Sequence, residues 1–182
     1  MAAKRLRWMP YYESVQNNPY LSDFYTEMKR WSFQLQVYFL SHRFHTHKKI
    51  IESKKSVIQD RSIYEDVEIF AKNLFRMGRM EKRDYNNYAS LFKEMTSYLR
   101  APDLVVYLKA DVKTLIAQIR QRGREFEKKI EPEYLARLNR SYGQWIRDYK
   151  LGKVLVVESD KLDFVHNREH FETILEKIKK AL

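Results

Sequence analysis

Leu104-Val105-Val106-Tyr107-Leu108 and, further along, Val154-Leu155-Val156-Val157 decide the fold class. Both runs are apolar without interruption rather than alternating. That is the pattern of strands buried on both faces, as in a parallel sheet covered by helices. The strands are predicted over Asp103 to Leu108 and Lys153 to Val157, with two shorter ones over Arg7 to Tyr12 and Ser56 to Gln59. Long helical stretches separate the four, giving strand, helix, strand, helices, strand, helices, strand, helix. The expected fold is α/β, three layers with a parallel sheet flanked by helices. No repeat, low-complexity tract or linker interrupts the chain, and only four glycines and four prolines punctuate it. Residues 1–182 therefore read as one domain.

Composition narrows the function. The chain is long enough to bury a continuous core, and its 44% hydrophobic content lies well above that of disordered segments. No run of about 18 apolar residues exists to span a membrane. The basic start, Met1-Ala2-Ala3-Lys4-Arg5, is not followed by the apolar stretch of a secretory signal. Cysteine is absent, which excludes disulfides and thiolate chemistry and fits a reducing compartment, so a cytoplasmic location is expected. The net charge of +11 suits either a polynucleotide or a basic surface handling a smaller anion. Basic residues are interleaved with acids, as in Lys109-Ala110-Asp111 and Arg79-Met80-Glu81-Lys82-Arg83-Asp84, which argues against a polynucleotide partner.

The first long helix carries two stripes. Ser22 is a candidate N-cap behind Pro19, and helical spacing runs from Asp23 to about His47. Phe24, Met28, Trp31, Leu35 and Phe39 form the expected core stripe. On the other face Tyr25, Ser32, Gln36 and Arg43 fall within roughly 20° of one line at about 100° per residue. A phenol, an amide and a guanidinium in line can fix a flat polar ligand. The plain alternative is a solvated helix face.

Candidate chemistry gathers at strand ends, where open parallel sheets hold their ligands. Glu13 follows the first strand and can accept a proton from a substrate hydroxyl. Asp60-Arg61-Ser62 follows the second, and an acid beside an arginine fork suits phosphoryl transfer, a local ion pair with Ser62 or Asp60 as helix cap being the alternative. After the third strand Asp111 is expected to cap a helix from Val112 to about Gln121. That helix ends in Arg120-Gln121-Arg122-Gly123-Arg124, three arginines in five residues around a glycine. Such a segment suits a lid over a transferring phosphate, or simply a basic helix terminus.

Two patterns are missing. Gly78, Gly123, Gly143 and Gly152 lie too far apart to build a Gly-x-x-x-x-Gly-Lys-Ser/Thr phosphate loop, whose backbone N–H groups wrap phosphates. No zinc pattern occurs either, and His42, His45 and His47 read as surface histidines.

Together these residues resemble the deoxynucleoside kinase family, in particular bacterial members acting on purine deoxynucleosides. The resemblance runs from about Tyr11 to near the C-terminus. It rests on Glu13, Asn18-Pro19-Tyr20-Leu21, Arg30-Trp31-Ser32-Phe33-Gln34-Leu35-Gln36, Asp60-Arg61-Ser62, Pro102-Asp103-Leu104 and Arg122-Gly123-Arg124, in that order. It implies phosphoryl transfer from ATP, with Mg²⁺, to the 5′-hydroxyl of a deoxynucleoside. Glu13 is then the base and Arg61 its partner that stabilises developing charge. Tyr25 and Glu127 bind the sugar 3′-hydroxyl, and Gln36 pairs with the nucleobase, backed by Arg43 and Asp66. Arg122 and Arg124 clamp phosphates, and Asp60 reaches Mg²⁺ through water. Gln118 departs from members with a further lid arginine there, which Arg120 can replace.

Family members open with a central strand and the phosphate loop, whereas this sequence opens inside the helix that follows them. The expectation is a P-loop kinase-like fold without that strand, whose ATP-dependent turnover is weak or absent. A homodimer is the oligomer the resemblance implies. A non-catalytic nucleoside-binding module and a basic nucleic-acid-binding protein are the alternatives.

Overall fold

The computed structural model describes residues 1–12, 18–125, 127 and 130–182, in two compact units, Met1–Arg100 and Ala101–Leu182. The first unit contains α1 (Ala2–Leu6), β1 (Met9–Tyr11), α2 (Leu21–Thr26), α3 (Met28–Ser53), β2 (Val57–Gln59), a π-helical segment (Asp66–Ala71), α4 (Lys72–Arg76) and α5 (Lys82–Thr96). The second contains β3 (Leu104–Lys109), α6 (Val112–Arg122), α7 (Pro132–Asp148), β4 (Lys153–Glu158) and α8 (Arg168–Ala181).

All four expected strands form, and they pair in parallel. Met9 lies opposite Val57 and Tyr11 opposite Gln59. In the second unit Leu104 lies opposite Lys153, in register through Lys109 and Glu158. The pairing makes two two-stranded sheets. Burial is less complete than the apolar runs predict. Val157 is fully buried, but Leu108 and Val156 are each 43% exposed. Among the described residues each of these strands has one paired edge, so its side chains have a strand neighbour on one flank only.

The first helix differs from its sequence reading in three ways. It is two helices, broken at Glu27, whose φ of −140° and ψ of 74° leave the helical region. Ser22 lies inside the first turn of α2 rather than capping it, because Tyr20 takes the N-cap position and its N–H is bound by Asn18 Oδ1 at 2.9 Å. The buried face of α3 is also not the apolar stripe. Ser32, Leu35, Gln36, Leu40, Arg43 and His47 are buried, while Met28, Trp31 and Phe39 are half-buried. Periodicity finds a helix face but cannot tell which of two faces a neighbour will cover.

His47 corrects a further expectation. It is 4% exposed, and its Nε2 lies 2.7 Å from the carbonyl oxygen of Arg100, while His42 and His45 are exposed as predicted. Burial lowers the His47 pKa from its ordinary value, partly offset by that backbone bond.

In the second unit Asp111 stands at the N-cap of α6, but its side chain makes no capping bond. Its own N–H is instead bound by Asp160 Oδ1 at 2.8 Å. Gly123 ends α6 in the left-handed region, φ 67°, with its N–H on Ile119 O. Gly152 precedes β4 because an added Cβ would meet the Pro102 carbonyl at 2.8 Å. Tyr107 of β3 and Tyr142 of α7 stack at 5.9 Å, and Val157, Leu175, Ile174 and Ile178 make the core beneath α8.

Candidate functional site

The turn after β2 begins with a strained residue. Asp60 extends the β1–β2 ladder, its N–H donating to Tyr11 O at 2.8 Å, and its side chain is exposed. Arg61 then takes φ 60°, a left-handed conformation that costs a residue with a Cβ about 1–3 kcal/mol. Its guanidinium lies over the Phe70 ring, 5.0 Å from the centroid. Strain of this kind at a strand end is a common mark of a working site.

Ser62 and Glu65 hold the turn. The Glu65 carboxylate accepts from the Ser62 N–H at 3.0 Å and from its hydroxyl, while Ser62 Oγ accepts from the Tyr64 N–H at 3.3 Å. Ser62 is one of the two cap candidates, and Glu65 three residues on completes the capping-box spacing. The cap alternative therefore falls to Ser62 with Glu65.

Behind this turn lies a buried ion pair. Arg43 Nη1 donates to the Ser62 carbonyl at 2.8 Å and sits 3.2 Å from Asp66 Oδ1. The two side chains are 8% and 2% exposed. Phe39 places its ring under the guanidinium at 5.4 Å. Asp66 opens the π-helical segment, a helix irregularity frequent at functional sites. Gln36, two turns before Arg43 on α3, is 3% exposed, and its Oε1 has no hydrogen-bond partner among the described residues. An amide oxygen so placed is an acceptor waiting for a donor.

Two other members of the predicted line behave differently. Ser32 is buried, but its hydroxyl turns back onto the Met28 carbonyl. Tyr25 lies on α2, beyond the break at Glu27, half-buried and edge-to-face with Phe24 at 5.1 Å. The straight line that joined Tyr25 to Gln36 and Arg43 therefore does not hold, since it assumed one continuous helix.

In the second unit the predicted lid residues form one cluster. Arg122 grips Glu127 with two bonds, Nε to Oε2 at 2.9 Å and Nη2 to Oε1 at 2.8 Å. Arg124 Nη1 adds a third at 3.3 Å. Glu127 is buried at 7% exposure, while the arginine side chains are 50% and 40% exposed. The carboxylate orients both guanidinium groups and leaves their outer edges accessible. Glu13 lies outside the described residues.

The sequence reading missed Tyr88 of α5. This residue is 1% exposed, and its hydroxyl, too, has no hydrogen-bond partner among the described residues. Burial holds the phenol well above its ordinary pKa, with the Asp66 carboxylate adding to the shift and Arg43 opposing it. No local motif marks Tyr88, because its burial depends on α5 packing against α3 and the π-helical segment. Phe70 was missed for the same reason: only the folded turn brings it under Arg61.

Among the described residues no group of three or more histidine or acidic side chains could hold a metal ion. The exposed single carboxylate of Asp60 fits a Mg²⁺ that arrives with a nucleotide, since that ion keeps several waters and needs only one or two carboxylates.

Known proteins resemble this chain along its length. The deoxynucleoside kinase family model matches residues 1–182. The deoxyadenosine/deoxycytidine kinase of Bacillus subtilis is 40% identical over 178 residues, covering 97% of this chain and 82% of that protein. The deoxyguanosine kinase of the same organism is 37% identical over 178 residues, covering 93% and 83%. Among solved structures, the deoxyadenosine kinase of M. mycoides with products dCMP and dCDP superimposes with a TM-score of 0.86 at 30% identity. That match covers 98% of this chain and 89% of the other.

Proposed function

This chain belongs to the deoxynucleoside kinase family, whose members are phosphotransferases, and we propose that it binds a purine deoxynucleoside for phosphorylation at the 5′-hydroxyl. The observation that carries this reading is the polar face buried on α3. Gln36 and Arg43 occupy positions that a helix packed only for stability gives to apolar side chains, and the Gln36 amide oxygen is left without a partner among the described residues.

The roles are those that the family resemblance implies, and the chemistry of each group suits them. Gln36 offers an acceptor and a donor to the edge of a nucleobase, and Arg43 with Asp66 backs it with fixed charge. Tyr25 and Glu127 bind the sugar 3′-hydroxyl. Glu13 takes the proton of the 5′-hydroxyl, and Arg61 stabilises the charge that develops there. Arg122 and Arg124, oriented by Glu127, clamp the transferring phosphate.

ATP is the proposed donor, as the family resemblance implies, and the M. mycoides deoxyadenosine kinase with bound dATP shows that a similar protein holds a purine nucleoside triphosphate. Mg²⁺, when bound with it, neutralises phosphate charge, and Asp60 is the side chain suited to its water shell. The residues 1–182 act as one domain, in a cytoplasmic homodimer.

Calorimetry with deoxyadenosine, deoxyguanosine and deoxycytidine tests the reading. We expect binding that Gln36→Ala weakens by about tenfold or more, the loss of one well-used buried hydrogen bond. Steeply salt-dependent binding to oligonucleotides, with no affinity for nucleosides, would replace this reading with a nucleic-acid-binding one.

A further inference from the structure

Arg61 is held in its left-handed conformation from both sides. On one side Asp60 belongs to the β1–β2 ladder, its N–H donating to Tyr11 O at 2.8 Å. On the other side Ser62 is fixed at three atoms. Its N–H donates to Glu65 Oε2 at 3.0 Å, and its hydroxyl donates to the same oxygen. Its carbonyl accepts from Arg43 Nη1 at 2.8 Å. Between these anchored neighbours Arg61 takes φ 60°, with its guanidinium over the Phe70 ring. A residue with a Cβ keeps such a conformation only where its surroundings over-determine it.

Glu65 does more than complete a cap. In the ordinary capping box the serine hydroxyl accepts from the backbone three residues on, and the glutamate reaches back to the serine N–H. Here the Ser62 hydroxyl turns to the Glu65 carboxylate instead, and accepts from the nearer Tyr64 N–H at 3.3 Å. One carboxylate oxygen therefore grips Ser62 by backbone and side chain together. Both residues are buried, Glu65 at 7% and Ser62 at 9% exposure, so water does not compete for these bonds. Ser62 is also the next residue after Arg61, so its orientation sets how the chain leaves the strained position.

We propose that Glu65 is a positioning residue for phosphoryl transfer: by gripping Ser62 at its N–H and its hydroxyl, it keeps Arg61 in the conformation that presents the guanidinium to a phosphate at the 5′ position. The proposal rests on the role given to Arg61 in the kinase reading above. Without the grip, the turn relaxes toward an ordinary negative φ and the guanidinium is no longer aimed.

The test is equilibrium titration of the 182-residue chain with deoxyadenosine, deoxyguanosine and deoxycytidine and with the 5′-monophosphate of each, beside a thermal melt. The quantity read is the gain in affinity that the phosphate adds to the tightest-bound nucleoside, which needs no turnover. Arg61→Ala should cut this gain about tenfold or more, the loss of a charged contact. Glu65→Ala should cut it about fivefold, whereas Glu65→Gln, which keeps an oxygen for both Ser62 donors, should stay within about twofold of the unsubstituted chain. In an Arg61→Ala background Glu65→Ala should cut it no further. A merely structural Glu65 would lower the melting temperature and weaken nucleoside and monophosphate by one factor, leaving the gain intact. That result overturns the proposal, as does an equal further loss in the Arg61→Ala background. If Glu65→Ala does not fold, Ser62→Ala takes its place, since it leaves the backbone bond to Glu65; it should cut the gain about two- to threefold, and an unchanged gain overturns the proposal. Nucleoside binding with no gain from the phosphate, or with a gain that Arg61→Ala leaves intact, removes Arg61 from its role and overturns the proposal while sparing nucleoside recognition. Failure of the unsubstituted chain to bind any of the three nucleosides overturns the kinase reading itself, and this proposal with it.

Discussion

Arg43 and Asp66 face each other at 3.2 Å in the interior of the first unit, with Ser62 supplying a carbonyl to the same guanidinium nitrogen at 2.8 Å. Removing one partner of a buried pair leaves the other charge uncompensated, which is more damaging than removing both. Asp66→Ala is expected to destabilise the protein by about 3–5 kcal/mol. The double variant Arg43→Met/Asp66→Leu should recover most of that stability while losing nucleoside binding. Urea unfolding and calorimetry on the same three proteins read both effects. A loss below about 1 kcal/mol for Asp66→Ala would mean that solvent already screens the pair.

The Arg122–Glu127–Arg124 cluster predicts the opposite balance. Its arginine side chains are about half exposed, so solvent screens their attraction, and Arg122→Ala or Arg124→Ala should change stability by no more than about 1 kcal/mol. Nucleotide binding should weaken in both and become less salt-sensitive. Glu127→Gln keeps the shape but releases both guanidinium groups from a fixed orientation, so its effect should match that of the two arginine variants together. An arginine variant that loses several kcal/mol of stability with unaltered nucleotide affinity would make the cluster a structural clamp.

The strand positions were readable because short runs rich in β-branched or aromatic residues lie between polar flanks, too short for a helix, and all four appear within two residues of their predicted bounds. Gln36 and Arg43 were readable from seven-residue spacing on one helix. Tyr25 was placed on that line wrongly, because no residue type at Glu27 announces the break there. The buried states of His47 and Tyr88 could not be read at all. Each depends on chain far away in sequence, Arg100 for the first and the packing of α5 on α3 and the π-helical segment for the second. Short motifs record local geometry, and these are contacts between elements.

Phosphoryl transfer needs a base at the 5′-hydroxyl and a group to bear the charge that develops there. Glu13→Gln should lower kcat for a deoxynucleoside with MgATP by about 10²–10⁴-fold, the range for a general base. Arg61→Lys should keep the fold, since the side chain is exposed, and still lower kcat by about 10²-fold through loss of the planar fork. Turnover indifferent to both substitutions would remove Glu13 and Arg61 from these roles.

His47 makes stability depend on pH in a direction that can be worked out. Its pKa in the folded protein lies below the ordinary 6.5, because burial disfavours the charged ring. Below pH 6.5 the unfolded chain therefore takes up a proton that the folded chain refuses, and unfolding gains from every step down in pH. The contribution is complete above pH 6.5 and is lost as pH falls through that value toward the folded pKa, at no more than about 1.4 kcal/mol per pH unit. Structure gives the reason: Nε2 is engaged with Arg100 O at 2.7 Å, and the buried Nδ1 has no hydrogen-bond partner among the described residues to receive a second proton. His47→Gln keeps a donor for Arg100 O and does not titrate. Urea midpoints between about pH 5 and 8 should fall with pH more steeply in the unsubstituted protein than in His47→Gln. Parallel curves for the two proteins would remove His47 from the acid sensitivity altogether.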